Sequence, residues 1–312
     1  MTGKDLLELL SSSYCRSYLT GTLENGVIAA LDIEGRLFTI VNNQVVNRVV
    51  PSAIKNHFKK GIYQNPGGDG LWPAPEGTTM GYEYATGNWR VPPAITGAVW
   101  EVISHTDNRA VIRAEIDLVN NLQIGIPCEF ERHIEIDSVD GRLTQRVTEV
   151  IRYIGKKTIC KDEFLLAPWS LCQFESGKEG KVIFPTSPDE ELWDMYASSQ
   201  SQRNIVDGLY VLETKTKDRI QLGLGPKIPW IEYTMGNQFR IKRYAGELPA
   251  DQVYIDISDS PPDQLPSSRG VSLSIYCDPG GFMEMETCGG CPAKLTPGTE
   301  LSVRITTEYE II

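Results

Sequence analysis

Two carboxylates stand two residues apart in the stretch FMEMET, Phe282 to Thr287. Side chains alternate across a β-strand, so Glu284 and Glu286 share one face with Phe282, while Met283 and Met285 share the other. With the methionines turned to a core, the two carboxylates face away together, ~7 Å apart along the strand. Paired carboxyls on a cleft wall are equipped for general acid–base chemistry. A solvated strand face has the same spacing and no chemistry. A Gly-Cys-Pro-rich loop follows, then the turn Leu295-Thr296-Pro297-Gly298-Thr299, and a closing strand is expected from about Leu301 to Tyr309.

A second concentration of chemistry lies in GGDGLWPAPEGTTMGYEYATGNW, Gly67 to Trp89. Its glycines, prolines and aromatics read as a long irregular loop rather than a strand or helix. Loops of that length in compact domains are usually functional. Trp72, Tyr82 and Trp89 offer flat apolar faces that suit the C–H faces of a sugar ring, and Asp69 and Glu76 offer acceptors for hydroxyls. A rigid loop packed on its own tryptophans would have the same composition.

Further along, CEFERHIEID alternates cleanly. Cys128, Phe130, Arg132, Ile134 and Ile136 fall on one face, which makes Arg132 the only charge on an apolar surface. Such a charge must be paired or line a wet cleft, so Arg132 is expected to be buried beside a carboxylate or a ligand. His133 falls among glutamates on the solvated face. Lys227 and Trp230 lie in a loop after the strand that begins at Ile220. Lys242 and Arg243 read as surface cations, with a place in the site as the alternative.

The cysteines carry less. There are seven, an odd number, and only Cys288 and Cys291 form a CxxC. A structural zinc site wants four ligands, usually as two pairs. With no second CxxC and only three histidines in the chain, the expectation is free thiols, no disulfide, no metal and no cofactor. There is no GxSxG elbow, Walker loop or HExxH, and a Ser-His-Asp triad has little to draw on.

These residues must be positioned by β-structure. Only the N-terminus and SPDEELWDMY (Ser187 to Tyr196) read as helix: Thr2 with Asp5 forms a weak capping box, and Ser187, Pro188 and Glu190 form a better one. Elsewhere turn dipeptides separate alternating runs: Asn25-Gly26, Glu34-Gly35, Asp107-Asn108, Asp140-Gly141 and Gly236-Asn237. Ser260 to Gly270 is a Pro/Ser-rich connection before the last hairpin. The 312 residues suit one large β-sandwich-type domain, 1–312, and 41% hydrophobic residues allow a sizeable core. The net charge of −11 argues against nucleic acid and anionic membrane surfaces as partners. No apolar run approaches the ~20 residues of a membrane span, and no signal peptide is visible. A cytoplasmic location is expected, or a periplasmic one if a leader has been removed.

The C-terminal strand, with Glu286-Thr287 followed by a Pro-Gly turn, resembles the last hairpin of the aldose 1-epimerase (galactose mutarotase) superfamily. The segment Gly67, Gly68, Leu71, Trp72, Ala74, Pro75 and Glu76 resembles a GG-x-x-LW-x-APE motif of uncharacterised, mostly bacterial members. The hairpin around Asp140-Gly141 is also similar. The resemblance implies an all-β supersandwich of antiparallel strands with a few short helices, and a sugar as small-molecule partner. It implies Glu286 as the base, and a concave face gathering Trp72, Glu76, Arg132, Trp169 and Glu286, with Glu284 and Trp230 as further binding residues. That set suits a neutral or acidic sugar. The superfamily's acid is a histidine near LLAPWSLCQF (Leu165 to Phe174), where this chain has Trp169. Interconversion of anomers therefore stands beside a non-catalytic sugar-binding role, with glycoside hydrolysis or lysis a more distant alternative. Oligomeric state is not readable.

Overall fold

In the computed structural model the chain is built of antiparallel strands in two large sheets. The structure describes residues 1–58, 63–139, 141–177, 179–188, 191–236 and 238–312. The first sheet has ten strands and carries the cleft. Its spatial order is Ser17–Gly21, Gly26–Ala30, Arg36–Val41, Asp69–Ala74, Ala167–Glu175, Phe282–Cys288, Leu273–Asp278, Ile220–Leu224 and Leu192–Asp194, with Gln44–Val45 paired to Arg36–Val41. The second, also of ten, runs from Arg203–Val206 through Leu209–Glu213, Gly180–Pro185, Trp230–Met235, Phe239–Tyr244, Glu300–Ile311, Arg142–Tyr153, Gly125–Val139 and Arg109–Val119 to Glu101–His105.

Alternation decides what each sheet buries. Cys172, Phe174, Met283, Met285, Ile275 and Leu222 of the first sheet meet Ile112, Phe130, Val147 and Ile241 of the second in one apolar core. The opposite face of the first sheet is covered only at one end. There the helix Gly3–Ser12 lays Leu6 and Leu10 on Ile28, Phe38 and Ile40. Thr2 and Asp5 make the expected reciprocal capping bonds at its start. The middle of that face stays open and becomes the cleft.

The turn dipeptides fall where the sequence places them at Asn25-Gly26, Glu34-Gly35 and Asp107-Asn108. Asp140 and Asn237, and with them the other two turns, lie outside the described residues.

Two expectations need correction. The stretch from Gly67 to Trp89 contains a strand, Asp69–Ala74, paired along its length to Ala167–Glu175. Its other edge meets Arg36–Val41 only at Leu37↔Asp69, so Pro73 interrupts no ladder on that side. The helix expected from Ser187 to Tyr196 does not run through its described C-terminal half either. Leu192–Asp194 is an edge strand on Ile220–Leu224, and the Ser187 hydroxyl donates to the Pro188 carbonyl. Asp189 and Glu190 lie outside the described residues. An available sheet edge outweighed a helix too short to stand on its own propensity.

Candidate functional site

The open face of the first sheet forms a cleft of about 480 Å³, within the ordinary range for small-molecule sites. Register builds its floor. Glu286 stands opposite Leu171 on one neighbouring strand and Ser274 on the other; Glu284 stands opposite Gln173 and Tyr276. Gln221 faces Tyr276 one strand further out. These alternate positions point into the cleft because Met283, Met285, Cys172 and Ile275 fill the core behind them.

Glu286 is 1% exposed and takes three donors. The Trp169 indole N–H and the Gln221 amide donate to its Oε2 at 3.3 and 3.0 Å. The third donor is the carboxyl of Glu284, which shares a hydrogen bond with Glu286. Although their backbones are spaced as a strand requires, the two side chains converge rather than standing apart. Burial and the neighbouring Glu286 charge raise Glu284 well above the usual carboxylate range, so it holds the shared proton. Gln173 Nε2 donates to Glu284 Oε1 at 2.6 Å. Burial raises Glu286 too, but the Ser274 hydroxyl on the neighbouring strand, the Glu284 carboxyl and the Gln221 amide limit the rise to about 7. At neutral pH Glu286 is therefore part carboxylate, the state a general base needs.

The walls come from the segment after Asp69–Ala74 and from the connection around Asp259. Glu76 is 4% exposed, and Trp89 Nε1 donates to its Oε1 at 2.9 Å. Burial and the nearby Asp259 charge raise Glu76 to about 8. Arg219 donates to Asp259 Oδ2 at 2.9 Å and to the Tyr276 hydroxyl at 3.1 Å, and it stacks 3.9 Å over the ring of Tyr196. At the other end Arg36 donates to Glu34 Oε2 at 2.8 Å and to the Tyr63 hydroxyl at 2.8 Å. Both arginines are thus neutralised, and the remaining groups are carboxyls, amides and hydroxyls. That balance favours a neutral polyhydroxyl ligand over an anionic one.

Of the expected site residues, Trp72, Glu76, Trp169, Glu284 and Glu286 meet in this cleft. The tryptophans are not two open platforms. Trp72 and Trp169 face each other across paired strands, ring centroids 6.4 Å apart and 83° inclined, and both are buried. Trp89, at 42% exposed, offers the more open indole.

Arg132 does not line the cleft. It is buried as expected, but between the sheets, donating to Glu149 Oε1 at 2.6 Å and to Asp69 Oδ1 at 3.0 Å. Arg243, expected at the surface, joins it there through Asp69 Oδ2 at 3.0 Å. Burial alone would raise Asp69, yet Arg243 and Arg132 hold it down at about 2. Arg243 also donates to the Thr287 hydroxyl at 2.9 Å, which ties this buried cluster to the strand carrying Glu286. Trp230 lies on the second sheet with Lys242 Nζ 3.9 Å over its ring, outside the cleft.

Arg36, Tyr63, Gln173, Arg219, Gln221, Asp259 and Tyr276 were not singled out by the sequence. Gln173 could have been, because it continues the Trp169, Leu171 face of its strand. The seven cysteines are all free thiols in the structure; only Cys160 is exposed. No helix among the described residues is long and apolar enough to cross a membrane.

The same fold is seen in solved structures. Slr1438 from Synechocystis sp. PCC 6803 superposes with a TM-score of 0.58 at 13% identity, over 95% of each chain. A galactose mutarotase-like protein from Lactobacillus casei ATCC 334 gives 0.57 at 13% identity, over 95% of this chain and all of that one (100%). Another, from Clostridium acetobutylicum, gives 0.54 at 10% identity, over 96% and 95%. The fold is therefore the all-β galactose mutarotase-like one. The chain belongs to a family of unknown function, DUF6786, whose model matches residues 27–230. No curated protein sequence matches it.

Proposed function

We propose that this chain, acting as a single unit over residues 1–312, binds a neutral sugar in the cleft and interconverts its anomers, with Glu286 as the general base. The observation that carries this is the environment of Glu286. It is a buried carboxyl on a cleft floor, fixed by Trp169 and Gln221 and raised to about 7, where it both accepts and returns a proton readily. Trp72, Trp89 and Tyr276 supply apolar edges for the ring, and Gln173, Gln221 and Asp278 supply partners for hydroxyls. The fold shared with galactose mutarotase-like proteins agrees with this reading.

A binding-only role is the second reading. It is favoured by one observation: among the described residues no histidine lines the cleft. A thermal-shift screen of neutral aldoses, uronic acids and sugar phosphates tests the part common to both readings. Stabilisation by neutral sugars alone is expected. Stabilisation by anionic sugars only, or by none, would contradict it.

A further inference from the structure

Opening a pyranose ring needs an acid at the ring oxygen as well as a base at the anomeric hydroxyl. The chain's three histidines are His57, His105 and His133, and none lines the cleft. The other proton donors there are already engaged. Tyr84 donates to Asp259 and Tyr276 to Asp278. The Tyr63 hydroxyl accepts a hydrogen bond from Arg36 and, raised by burial, keeps its own proton, and the Glu284 proton is shared with Glu286. An indole such as Trp169 has no proton to give up at ordinary pH.

We infer that Glu76 is the acid that complements Glu286, protonating the ring oxygen from the wall of the same cleft. This rests on the anomer-interconversion reading and supplies the group that it lacks. The geometry is that of a held carboxyl with one oxygen spare. Trp89 Nε1 lies 2.9 Å and Arg219 Nη2 3.9 Å from the same oxygen, Oε1, and no described donor addresses Oε2. Glu76 is 4% exposed, and it follows directly on the Asp69–Ala74 strand, which sets its place.

The charges around it keep the proton on. After burial, the Asp259 charge is the largest upward influence. Glu83, itself buried, and Glu286 also feel the Glu76 charge. Arg219 pulls the other way but is neutralised by Asp259, and Tyr84 and Tyr196 stay un-ionised. With Glu76 at about 8 and Glu286 at about 7, one cleft presents an acid and a base together near neutrality.

The step balances without a cofactor. The Glu286 carboxylate takes the proton of the anomeric hydroxyl as C1=O1 forms. The C1–O5 bond breaks, and O5 takes the proton from Glu76. Rotation about C1–C2 presents the other face of the aldehyde. O5 then attacks C1 while returning its proton to Glu76, and Glu286 returns its proton to O1.

The test compares wild type with Glu76→Gln by polarimetry across pH, alongside infrared spectra in the region of the protonated-carboxyl carbonyl stretch. The expected result is a bell-shaped rate with its alkaline limb near pH 8 in the wild type. Glu76→Gln should lose ~10²–10⁴-fold in rate while still binding sugar. Glu284 and Glu83 also stay protonated, so the wild-type-minus-variant difference spectrum at neutral pH should show one protonated-carboxyl component, which should shift on sugar binding in the wild type. An active wild type with an equally active Glu76→Gln overturns this role alone. A difference spectrum with no such component overturns it whatever the rates are. A wild type that mutarotates no aldose overturns the anomer reading, and the role of Glu76 as acid falls with it.

Discussion

The indole N–H of Trp169 donates to Oε2 of Glu286 at 3.3 Å, beside the Gln221 amide at 3.0 Å on the same oxygen. Trp169 stands where the resemblance to aldose epimerases implies an acidic histidine, but an indole donates a hydrogen bond without releasing its proton. Its part is to orient Glu286 and favour the charged form. Trp169→Phe should shift the acid limb of the pH–rate profile to higher pH. It should lower the rate at neutral pH roughly fivefold, for a net hydrogen bond of ~1 kcal/mol. An unmoved limb would show that the contact does not tune the base.

Arg132 is tested by where it is not. It lies between the sheets, bonded to Glu149 and Asp69. Removing one partner of a buried ion pair strands the other, at a cost of ~3–5 kcal/mol. Arg132→Ala should lower the unfolding free energy by that order in urea titrations. Sugar affinity measured well below the unfolding midpoint should not change. A specific loss of affinity in a fully folded variant would return Arg132 to the site.

Stability should fall as pH rises through neutrality. The folded-state values of Glu286 and Glu76, about 7 and about 8, lie above the ordinary 4.5. A raised value contributes stability that is complete below the unfolded value and lost as pH rises through the folded one. Urea unfolding at about pH 6 and about pH 9 should show the drop, and Glu76→Gln should remove part of it. Asp69 acts at the other extreme. Its value of about 2 contributes stability above the ordinary 3.8, which is lost as pH falls through 2. A flat profile from pH 6 to 9 would show that the cleft carboxyls are not buried as described.

Thiol chemistry checks the core independently. Cys160 is exposed and the other six cysteines are buried. A thiol reagent should titrate one group rapidly in the native protein and seven after denaturation without reductant. A denatured count of five would mean a disulfide, and several fast native thiols would mean an open core.

The positions of Glu284 and Glu286 were legible because Met283 and Met285 leave an alternating strand only one way to face. The N-terminal helix was legible through its cap, and Glu76 through its motif. Arg132 was legible as a buried, paired charge, but not as to which side of its sheet the partners would approach from. Glu149 stands directly opposite Arg132 across the hairpin of Gly125–Val139 and Arg142–Tyr153, whereas Asp69 comes from the other sheet, and only the packing of the two sheets brings it in. The strand Asp69–Ala74 was hidden by its Gly and Pro content, tolerated because its second edge is almost unpaired. Arg219, Asp259 and Tyr276 come from separate connections and strands, and no local pattern announces their meeting.

The most direct measurement is polarimetry of freshly dissolved aldoses with wild type and with Glu286→Gln, which keeps the side chain's shape and one acceptor but cannot take a proton. The base assignment predicts mutarotation above buffer in the wild type and a loss of ~10²–10⁴-fold in the variant, with sugar binding retained. A wild type and a Glu286→Gln variant that are equally active would contradict it.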